Sequence, residues 1–557
     1  MSEDHQKSRG VSPCRNDAQI RHGVPVSAPT ARTRGFAGAG ACLGGEGPQL
    51  CGPRASSPRL FLWLKRTLLL FLAFVVRVST LEAQGLWRDE VDQWRFAFQS
   101  LDELVANFTR PGWNGPLYSP ILRWWIALSG ESVFAMRLLS VIWGVLTVSL
   151  VIVLAQRITR DRRTAAVAGV LVAFSPYLIW YAQEIKMYTW VPMLVVLALY
   201  ALDRACRQPR LVWWAVVLVA TTLAIYSHIL AALLILVLVI WFVVHPARGP
   251  RVWGGGLLVL AGLTLPYLPL LGWQAPLVLI DRQTGYPVYS LGQMTLALLN
   301  GWSLGISQGA WGTPSVTLVA MITLGGLACL GAVSLGLSER RTCTGARTQW
   351  RAAVRLVVWC GVPLLGVWIV SQRGPIFTDR YLIWSAPAFY ILVAAGTVAL
   401  RCLARPLGIV FIAALLILNG HGWMAQAAVP IKPAFERATR LVEDRREARD
   451  LLLFQIPYNH HVFDYYATVG PGDWAEAPFT NWREADGSYQ VGVDYVGQEL
   501  RRLLMGYDRV WLITSEVALW DERELVKQWL TESYVLISAD DYPGVSVLLF
   551  GRPLRAD

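Results

Sequence analysis

The chain has 557 residues, of which 54% are hydrophobic and only 16% are charged, and its mean hydropathy is +0.42. A soluble protein of this size carries about a quarter charged residues, so the composition excludes an ordinary soluble enzyme and indicates a polytopic membrane protein. The net charge of +12 does not indicate nucleic-acid binding, because the basic excess lies in short loops between apolar runs. We therefore expect no nucleic acid among its partners.

Residues 1–57 are rich in Gly, Pro, Ser and Arg and show no apolar period. This composition predicts a disordered cytoplasmic tail. No apolar stretch typical of a signal peptide occurs before Leu60. The membrane part of the chain is therefore expected to begin at about residue 58.

Eleven apolar runs follow, each close to the ~20 residues that a helix needs to cross a bilayer. They lie at about 60–81, 133–156, 164–182, 187–203, 211–227, 229–245, 252–271, 315–337, 353–371, 381–400 and 406–426. The sequence therefore predicts about eleven transmembrane helices.

The loops between these runs predict the orientation. Five of them are strongly basic, namely 156–163, 203–210, 245–251, 339–351 and 401–405. The positive-inside rule places all five in the cytoplasm together with the N-terminus. The loops 82–132, 183–186, 272–314 and 372–380 and the C-terminal segment are then extracytoplasmic. Lys is rare in this chain, which is typical of a GC-rich genome, and we expect a multi-pass protein of a bacterial inner membrane.

The C-terminal part has a soluble character. Residues 432–557 hold 14 Lys and Arg against 21 Asp and Glu. The pattern predicts strands at 450–457, 509–515, 534–538 and 545–550, with an amphipathic helix at 520–532. We expect a polytopic α-helical transmembrane domain at 58–430, with an external loop at 82–132, followed by a small extracytoplasmic α/β domain at 431–557.

The predicted external face collects polar and aromatic residues from separate parts of the chain. They are Asp89, Glu90 and Tyr118 in the first external loop, Tyr181, Gln183, Glu184, Lys186 and Tyr188 around the second, then His228, Arg380 and Tyr381. A carboxylate at this interface suits a general base that takes a proton from a hydroxyl nucleophile. Arg and Lys at headgroup depth suit a phosphate whose lipid tail stays in the bilayer.

Each of these residues also has a structural interpretation. Asp89 and Glu90 fit a capped helix start, and Glu184 and Lys186 fit solvated residues at the ends of two spans. His228 fits a polar helix end, and Arg380 fits an interfacial anchor. The Tyr and Trp residues nearby fit an aromatic belt. The residues alone leave both interpretations open.

The order of the motifs resembles a known family. The pieces are Leu86-Trp87-Arg88-Asp89-Glu90, Gly115-Pro116-Leu117-Tyr118, residues 130–138, residues 175–188, Tyr226-Ser227-His228 and Asp379-Arg380-Tyr381-Leu382. Together, over residues 60–430, they resemble the GT-C integral-membrane glycosyltransferases, in the branch with protein O-mannosyltransferases and the aminoarabinose transferases of lipid A. Asn114-Gly115 stands where the family often has His-Pro.

The resemblance implies a glycosyltransferase with a polyprenyl-phosphate sugar as donor. It does not imply the acceptor, because members of the family modify proteins, lipids and growing glycans. We expect inverting transfer to an acceptor hydroxyl of a protein, lipid or glycan. The resemblance implies that Asp89 is the catalytic base with Glu90 beside it, and that Glu184 is a second acidic residue that shapes the site. It also implies that Arg380 and Lys186 hold the donor phosphate, although Lys186 replaces an Arg and lacks its bidentate fork.

Three further hypotheses stay open at the sequence level. No cofactor is assigned, but a divalent cation bound by Asp89, Glu184 and His228 is one option. A flippase or transporter for a lipid-linked sugar is a second, which clustering of the charges at one interface disfavours. A non-catalytic subunit for envelope assembly is the third.

Overall fold

The computed structural model describes residues 58–110, 113–247, 249–280, 287–306, 314–337, 339–342, 345–470, 472–484 and 486–553. The tail predicted for residues 1–57 lies outside the described residues. From residue 58 to residue 428 the described chain is almost entirely helical, and a five-stranded sheet follows.

Seventeen α-helices form the first part. They are α1 (Pro58–Val78), α2 (Arg88–Phe98), α3 (Leu101–Phe108), α4 (Tyr118–Ser129), α5 (Val133–Thr159), α6 (Arg162–Phe174), α7 (Pro176–Tyr181), α8 (Trp190–Arg207), α9 (Leu211–Ile225), α10 (Leu234–Val244), α11 (Pro250–Thr264), α12 (Leu268–Leu279), α13 (Leu291–Leu304), α14 (Pro314–Leu337), α15 (Trp350–Ser371), α16 (Ala386–Leu403) and α17 (Arg405–Ala428). A short hairpin of β1 (Glu339–Thr342) and β2 (Gly345–Thr348) connects α14 to α15.

All eleven predicted runs fall on helical segments. Within the described residues, five helices are long and apolar enough to cross a membrane. A sixth crossing results if the pair Pro250–Thr264 and Leu268–Pro276, bent by 51°, is one broken span. These findings support a helical membrane protein, and the number of eleven crossings stays a prediction.

The predicted run at 164–182 is broken in the structure. α6 ends at Phe174 and α7 begins at Pro176, because proline cannot donate to the helix that precedes it. Ser175 bridges the break: its side chain accepts from the backbone N–H of Leu178 and lies 2.6 Å from the hydroxyl of Tyr390 on α16. After α7, residues 182–189 form a turn before α8 begins at Trp190.

The loop at 82–132, predicted to be external, is also helical. α2, α3 and α4 lie in it, and a capping box of Ser100 and Glu103 begins α3. At Gly115 a Cβ atom would lie 1.8 Å from the backbone oxygen of Tyr226. Leu117 N–H donates to the same oxygen at 3.1 Å. Glycine at position 115 therefore lets the loop lie against residues 226–228.

The C-terminal part is a mixed sheet with helices on its surface. Its elements are α18 (Phe435–Arg445), β3 (Asp450–Phe454), α19 (Asn459–Tyr466), β4 (Trp474–Glu476), α20 (Val493–Leu503), β5 (Arg509–Thr514), α21 (Leu525–Ser533), β6 (Tyr534–Tyr542) and β7 (Val545–Pro553). The strand order is β4-β3-β5-β7-β6, with β3 parallel to β4 and β5 and with β7 antiparallel to β5 and β6. The four predicted strands are present, and the predicted helix at 520–532 begins only at Leu525.

The two faces of this sheet belong to different hydrophobic clusters. Alternate residues such as Phe454 and Ile513 join the same buried cluster as the helical bundle, whereas Leu453 and Leu512 pack with α20 and α21. The chain from Arg59 onward is one compact unit. A separate extracytoplasmic domain that begins at residue 431 therefore stays a prediction.

Candidate functional site

Two consecutive carboxylates at the start of α2 form the centre of the site. Trp87 is the N-cap of α2 and makes no side-chain cap, and Asp89 and Glu90 follow in the first turn. Both lie where the partial positive charge of a helix N-terminus favours an anion. Their side chains nevertheless contact different cations.

Asp89 lies against Arg380, which enters the site from the short 3₁₀ helix before α16. Arg380 Nη1 is 2.8 Å from Asp89 Oδ2, and Arg88 Nε is 3.8 Å from Asp89 Oδ1. Burial opposes ionisation of Asp89, but Arg380, and then Lys186 and Arg88, outweigh it and hold the pKa of this carboxyl below its usual value. Asp89 is therefore a carboxylate at neutral pH.

Arg380 is surrounded by aromatic rings. Its guanidinium carbon lies 5.7 Å from the ring centroid of Trp87, 5.9 Å from that of Tyr188 and 6.0 Å from that of Tyr381. Its Nε is buried and has no hydrogen-bond partner among the described residues. The guanidinium thus keeps a donor beyond the one that it gives to Asp89.

Glu90 is fully buried in a charge network. Arg137 Nε and Nη2 donate to its two oxygens at 2.8 and 2.7 Å, and Lys432 Nζ donates to Oε2 at 2.7 Å. The backbone N–H of Ile185 donates to Oε1 at 3.0 Å. Burial alone would raise the pKa of Glu90, but Arg137 and Lys432 outweigh it and lower that pKa.

Glu184 lies in the turn before α8, beside the same lysine. Lys432 Nζ is 3.6 Å from its Oε1, while its Oε2 is buried without a hydrogen-bond partner among the described residues. Burial raises the pKa of Glu184 in spite of Lys432, and the charge of Glu90 adds to the rise. Lys186 is half-buried in this turn, and its charge lowers the pKa of Asp89.

The predicted lining residues divide into two groups. Near Arg380, Tyr181 donates to Asp379 Oδ2 at 3.4 Å and packs edge-on against Tyr188. His228 packs against Tyr381 with ring centroids 5.0 Å apart, and burial lowers its pKa to about 4, so its imidazole is neutral.

The other two lining residues lie away from Arg380. Gln183 donates to the backbone oxygen of Arg77 and to Thr80 Oγ1, both at 2.7 Å, and so ties the turn to α1. Tyr118 is buried in the first turn of α4, and the charge of Glu90 raises the pKa of its phenol further than burial alone does.

The sequence prediction missed Arg137 and Lys432. The motif at residues 130–138 contains Arg137 but indicates no role for it. Arg137 Nη1 also donates to the backbone oxygens of Leu81 and Gln84. Lys432 follows the last predicted span and is one of only five lysines in the chain. The scarcity of lysine is the one signal in the sequence that could have indicated Lys432.

The structure offers a different set of side chains for a cation than the predicted one. Among the described residues, His460, His461 and Asp464 on α19 place one ligand atom each within 4.8 Å of one another. Burial lowers the pKa of His461 to about 3, and the charges of His460 and Arg95 add to that shift. Asp89, Glu184 and His228 do not form such a group in the described part of the chain.

Comparisons with known proteins agree with the predicted resemblance. A family model described as dolichyl-phosphate-mannose-protein mannosyltransferase matches residues 111–273. An undecaprenyl phosphate-alpha-4-amino-4-deoxy-L-arabinose arabinosyl transferase of Pseudomonas aeruginosa is 29% identical over 215 residues. That match covers 36% of this chain and spans only 39% of the relative's length.

The fold has relatives of known structure. The crystal structure of ArnT from Cupriavidus metallidurans in the apo state matches with a TM-score of 0.56 and 14% identity, over 88% of this chain and 98% of that chain. The same protein bound to undecaprenyl phosphate matches with a TM-score of 0.53 and 13% identity, over 87% of this chain and 98% of that chain. The resemblance to the GT-C glycosyltransferases of the aminoarabinose and O-mannosyltransferase branch is thereby confirmed, and the chain has the fold of a multi-pass membrane protein.

Proposed function

We propose that this protein is an inverting membrane glycosyltransferase that moves a sugar from a polyprenyl-phosphate donor to an acceptor hydroxyl on the extracytoplasmic face. The observation that carries the proposal is the pair of Asp89 and Arg380, 2.8 Å apart among aromatic rings. A proton acceptor and a phosphate-binding cation are the two groups that such a displacement requires, and they meet here from distant parts of the chain.

In the proposed reaction Asp89 takes the proton of the acceptor hydroxyl. The oxygen then forms a bond to the anomeric carbon while the bond from that carbon to the phosphate oxygen breaks. The electron pair leaves with the polyprenyl phosphate, and attack from the opposite side inverts the anomeric centre. A carboxylate whose pKa is held low is ionised, and so it is ready to accept that proton across the neutral range.

The leaving phosphate is held by Arg380, with Lys186 beside it. Arg380 shares one nitrogen with Asp89, and its buried Nε remains for a phosphate oxygen. Lys186 adds a second positive charge at the same surface. The relative of the same fold that is described as bound to undecaprenyl phosphate supports a lipid phosphate as the donor group.

Glu90 is proposed to position the site and not to exchange a proton. Both of its oxygens already accept charge-assisted hydrogen bonds from Arg137 and Lys432. A carboxylate occupied in this way is a poor base, but it fixes the first turn of α2 and so aims Asp89. Glu184 lies on the other side of Lys432 and shapes the same part of the site.

The Asp89→Asn variant tests the proposal. Purified full-length protein in detergent would be supplied with a polyprenyl-phosphate sugar and candidate acceptors, and transfer would be followed by mass spectrometry of the product. We expect a loss of roughly 100-fold or more, since a general base contributes about 10²–10⁴-fold.

Asp102→Asn is the matched control, because Asp102 is an exposed aspartate in the same external loop. This variant should keep the rate of the unaltered protein. A near-normal rate in Asp89→Asn protein would overturn the assignment, and transport of the lipid-linked sugar into vesicles without covalent product would favour a transporter.

A further inference from the structure

Two adjoining cavities lie at the end of the bundle opposite to Asp89. α5 runs from one end to the other: Arg137 in its first turns contacts Glu90, and Arg157 lies in its last turn. At ~1.5 Å per residue, roughly 30 Å separates these two arginines along the helix. The cavities are therefore independent of the candidate active site, and the predicted topology places them at the cytoplasmic surface.

The first cavity is strongly basic. It has a volume of about 400 Å³ and is lined by five arginines and two glutamines, with Arg157 and Arg160 at the end of α5, Arg162 at the start of α6 and Arg204 and Arg207 at the end of α8. We call it the basic cavity. Its arginines come from three helices, so it is a concave site and not a single charged loop.

Only part of this charge is neutralised within the protein. Asp203 pairs with Arg157 at 2.8 Å and with Arg207 at 3.0 Å. Arg162 and Arg204 have no carboxylate partner among the residues that the structure describes. The basic cavity therefore keeps a net positive charge that favours an anion.

Arg204 is held in a fixed orientation toward this space. Its guanidinium carbon lies 4.8 Å from the ring centroid of Trp213, and its Nη2 donates to Gln208 at 3.2 Å. Its Nε is buried and has no hydrogen-bond partner in the described part of the chain. A buried donor without an acceptor is costly, so an acceptor atom from a ligand would be favourable here.

The second cavity is an apolar groove that meets the first. It has a volume of about 530 Å³ and lies between α1, α5 and α6, with Leu69, Ile152, Ala165 and Val170 among its lining residues. Gln156 and Arg162 line both cavities. The groove and the basic cavity therefore adjoin at these two residues.

We propose that these two cavities together bind an anionic phospholipid, with the phosphate headgroup in the basic cavity and an acyl chain in the apolar groove. Basic pockets between helices at the cytoplasmic surface bind anionic headgroups through charge-assisted hydrogen bonds. A basic loop alone would follow from the positive-inside rule, but that rule does not require an apolar groove at the same place. The bound lipid tethers α1 to α5, α6 and α8.

The test uses full-length protein purified in neutral detergent and stripped of lipid. Phosphatidylglycerol, phosphatidylcholine or inorganic phosphate would be added separately, and binding would be measured by native mass spectrometry and by the melting temperature. The test variant is Arg162→Gln with Arg204→Gln. The control variant is Arg251→Gln with Arg401→Gln, which removes the same charge from exposed positions at the start of α11 and near the end of α16, on the same predicted side.

We expect tight binding of phosphatidylglycerol and weak binding of phosphatidylcholine by the unaltered protein and by the control. The test variant should bind phosphatidylglycerol roughly 10- to 30-fold more weakly, since each basic residue near a headgroup contributes about 1 kcal/mol. Equal binding by the test and control variants would overturn the proposal. Stabilisation by inorganic phosphate equal to that by phosphatidylglycerol would also overturn it, because it would show a free-anion site.

Discussion

Asp89 and Glu90 are consecutive on α2, yet their carboxylates lie in different surroundings. Asp89 lies 2.8 Å from Arg380 and 3.8 Å from Arg88, and it keeps 17% of its side-chain surface exposed. Glu90 has none of its surface exposed and contacts both Arg137 and Lys432. Adjacent positions on a helix point about 100° apart, so Asp89 faces Arg380 and Glu90 faces the bundle.

The pH dependence of transfer follows from the environment of Asp89. Arg380, Lys186 and Arg88 together lower its pKa against the effect of burial. The active carboxylate form is then lost only below the ordinary Asp range. Arg380→Gln removes the charge that lowers the pKa of Asp89 most, whereas the burial that raises this pKa remains. We expect the acid limb of the kcat/KM profile of this variant to move to higher pH, in addition to weaker donor binding.

The matched control for this experiment is Arg373→Gln. Arg373 is an exposed arginine a few residues before Arg380, and it donates to the backbone oxygen of Leu279. Its removal should leave the acid limb in place. An acid limb that is unchanged in Arg380→Gln protein would contradict the pairing of Arg380 with Asp89 as the proposed catalytic base.

Part of the site could be predicted from the sequence, and part could not. Charge counts in the loops placed Asp89, Glu184, His228 and Arg380 on one surface, and the structure brings all four to the same end of the bundle. The sequence does not show which residues come into contact when two segments lie hundreds of residues apart. The contact of Lys432 with Glu90 could therefore not be predicted, and neither could the different surroundings of Asp89 and Glu90.

At the scale of the elements, α14 and α16 approach each other unusually closely. A Cβ atom added at Gly331 would lie 2.0 Å from the backbone oxygen of Leu392, and one added at Gly396 would lie 2.0 Å from that of Leu327. Small residues on facing helices allow this contact in a membrane protein. Because the 3₁₀ helix that carries Arg380 (Asp379–Ser385) leads directly into α16, the position of α16 also sets the position of that cation.

We therefore expect Gly331→Ala to push α16 away from α14. The added methyl group meets backbone and not a flexible side chain, so the free energy of unfolding should fall by about 1–3 kcal/mol or more. Transfer activity should fall as well, because Arg380 moves with α16. Thermal unfolding in detergent and the transfer rate would be measured on the same preparation.

Gly326→Ala is the control on the same helix. A Cβ atom at this position meets nothing within 4 Å. Alanine is a better helix former than glycine, so this variant should be as stable as the unaltered protein or slightly more stable. Equal stability of the Gly331 and Gly326 variants would show that the two helices do not approach each other as described.

The helices themselves were largely predictable, whereas their breaks were not. Length and apolarity of each run decide whether a helix forms, and these are local properties. The run at 164–182 was predicted as one span although it contains Pro176. Pro176 ends α6, and the hydroxyl of Ser175 holds the two helices at the break through its partners on both α7 and α16. Such a tertiary contact leaves no periodic signal.

At the scale of the whole molecule, the sheet and the bundle are joined around the candidate site. Tyr466 on α19 accepts from the backbone N–H of Leu86 at 2.7 Å, directly before α2. Glu516, after β5, lies 3.1 Å from Arg88. The C-terminal part therefore contacts the residues on either side of Trp87. It is placed to hold α2 and, under the proposed function, to limit access of the acceptor.

Lys432 is the strongest of these connections. It lies between α17 and α18, is buried, and reaches Glu90 on α2 and Glu184 in the turn before α8. Burial lowers its pKa, although Glu90 opposes that shift. A buried charge is unfavourable unless opposite charges surround it, so the ammonium group of Lys432 is stabilised by Glu90 and Glu184. This one amine joins the segment between α17 and α18 to α2 and to the turn before α8.

Lys432→Met should destabilise the whole protein. The variant leaves Glu90 with Arg137 but leaves Glu184 without its nearest cation, and removal of one partner from a buried charged group costs about 3–5 kcal/mol. Lys527→Met is the control, because Lys527 is exposed and its pair with Glu524 is worth at most about 1 kcal/mol.

Adding Glu184→Gln to Lys432→Met should recover part of the loss, since an amide needs no cation. Unfolding of the three proteins in the same detergent measures this, and equal stability of the Lys432 and Lys527 variants would show that the lysine does not join these elements.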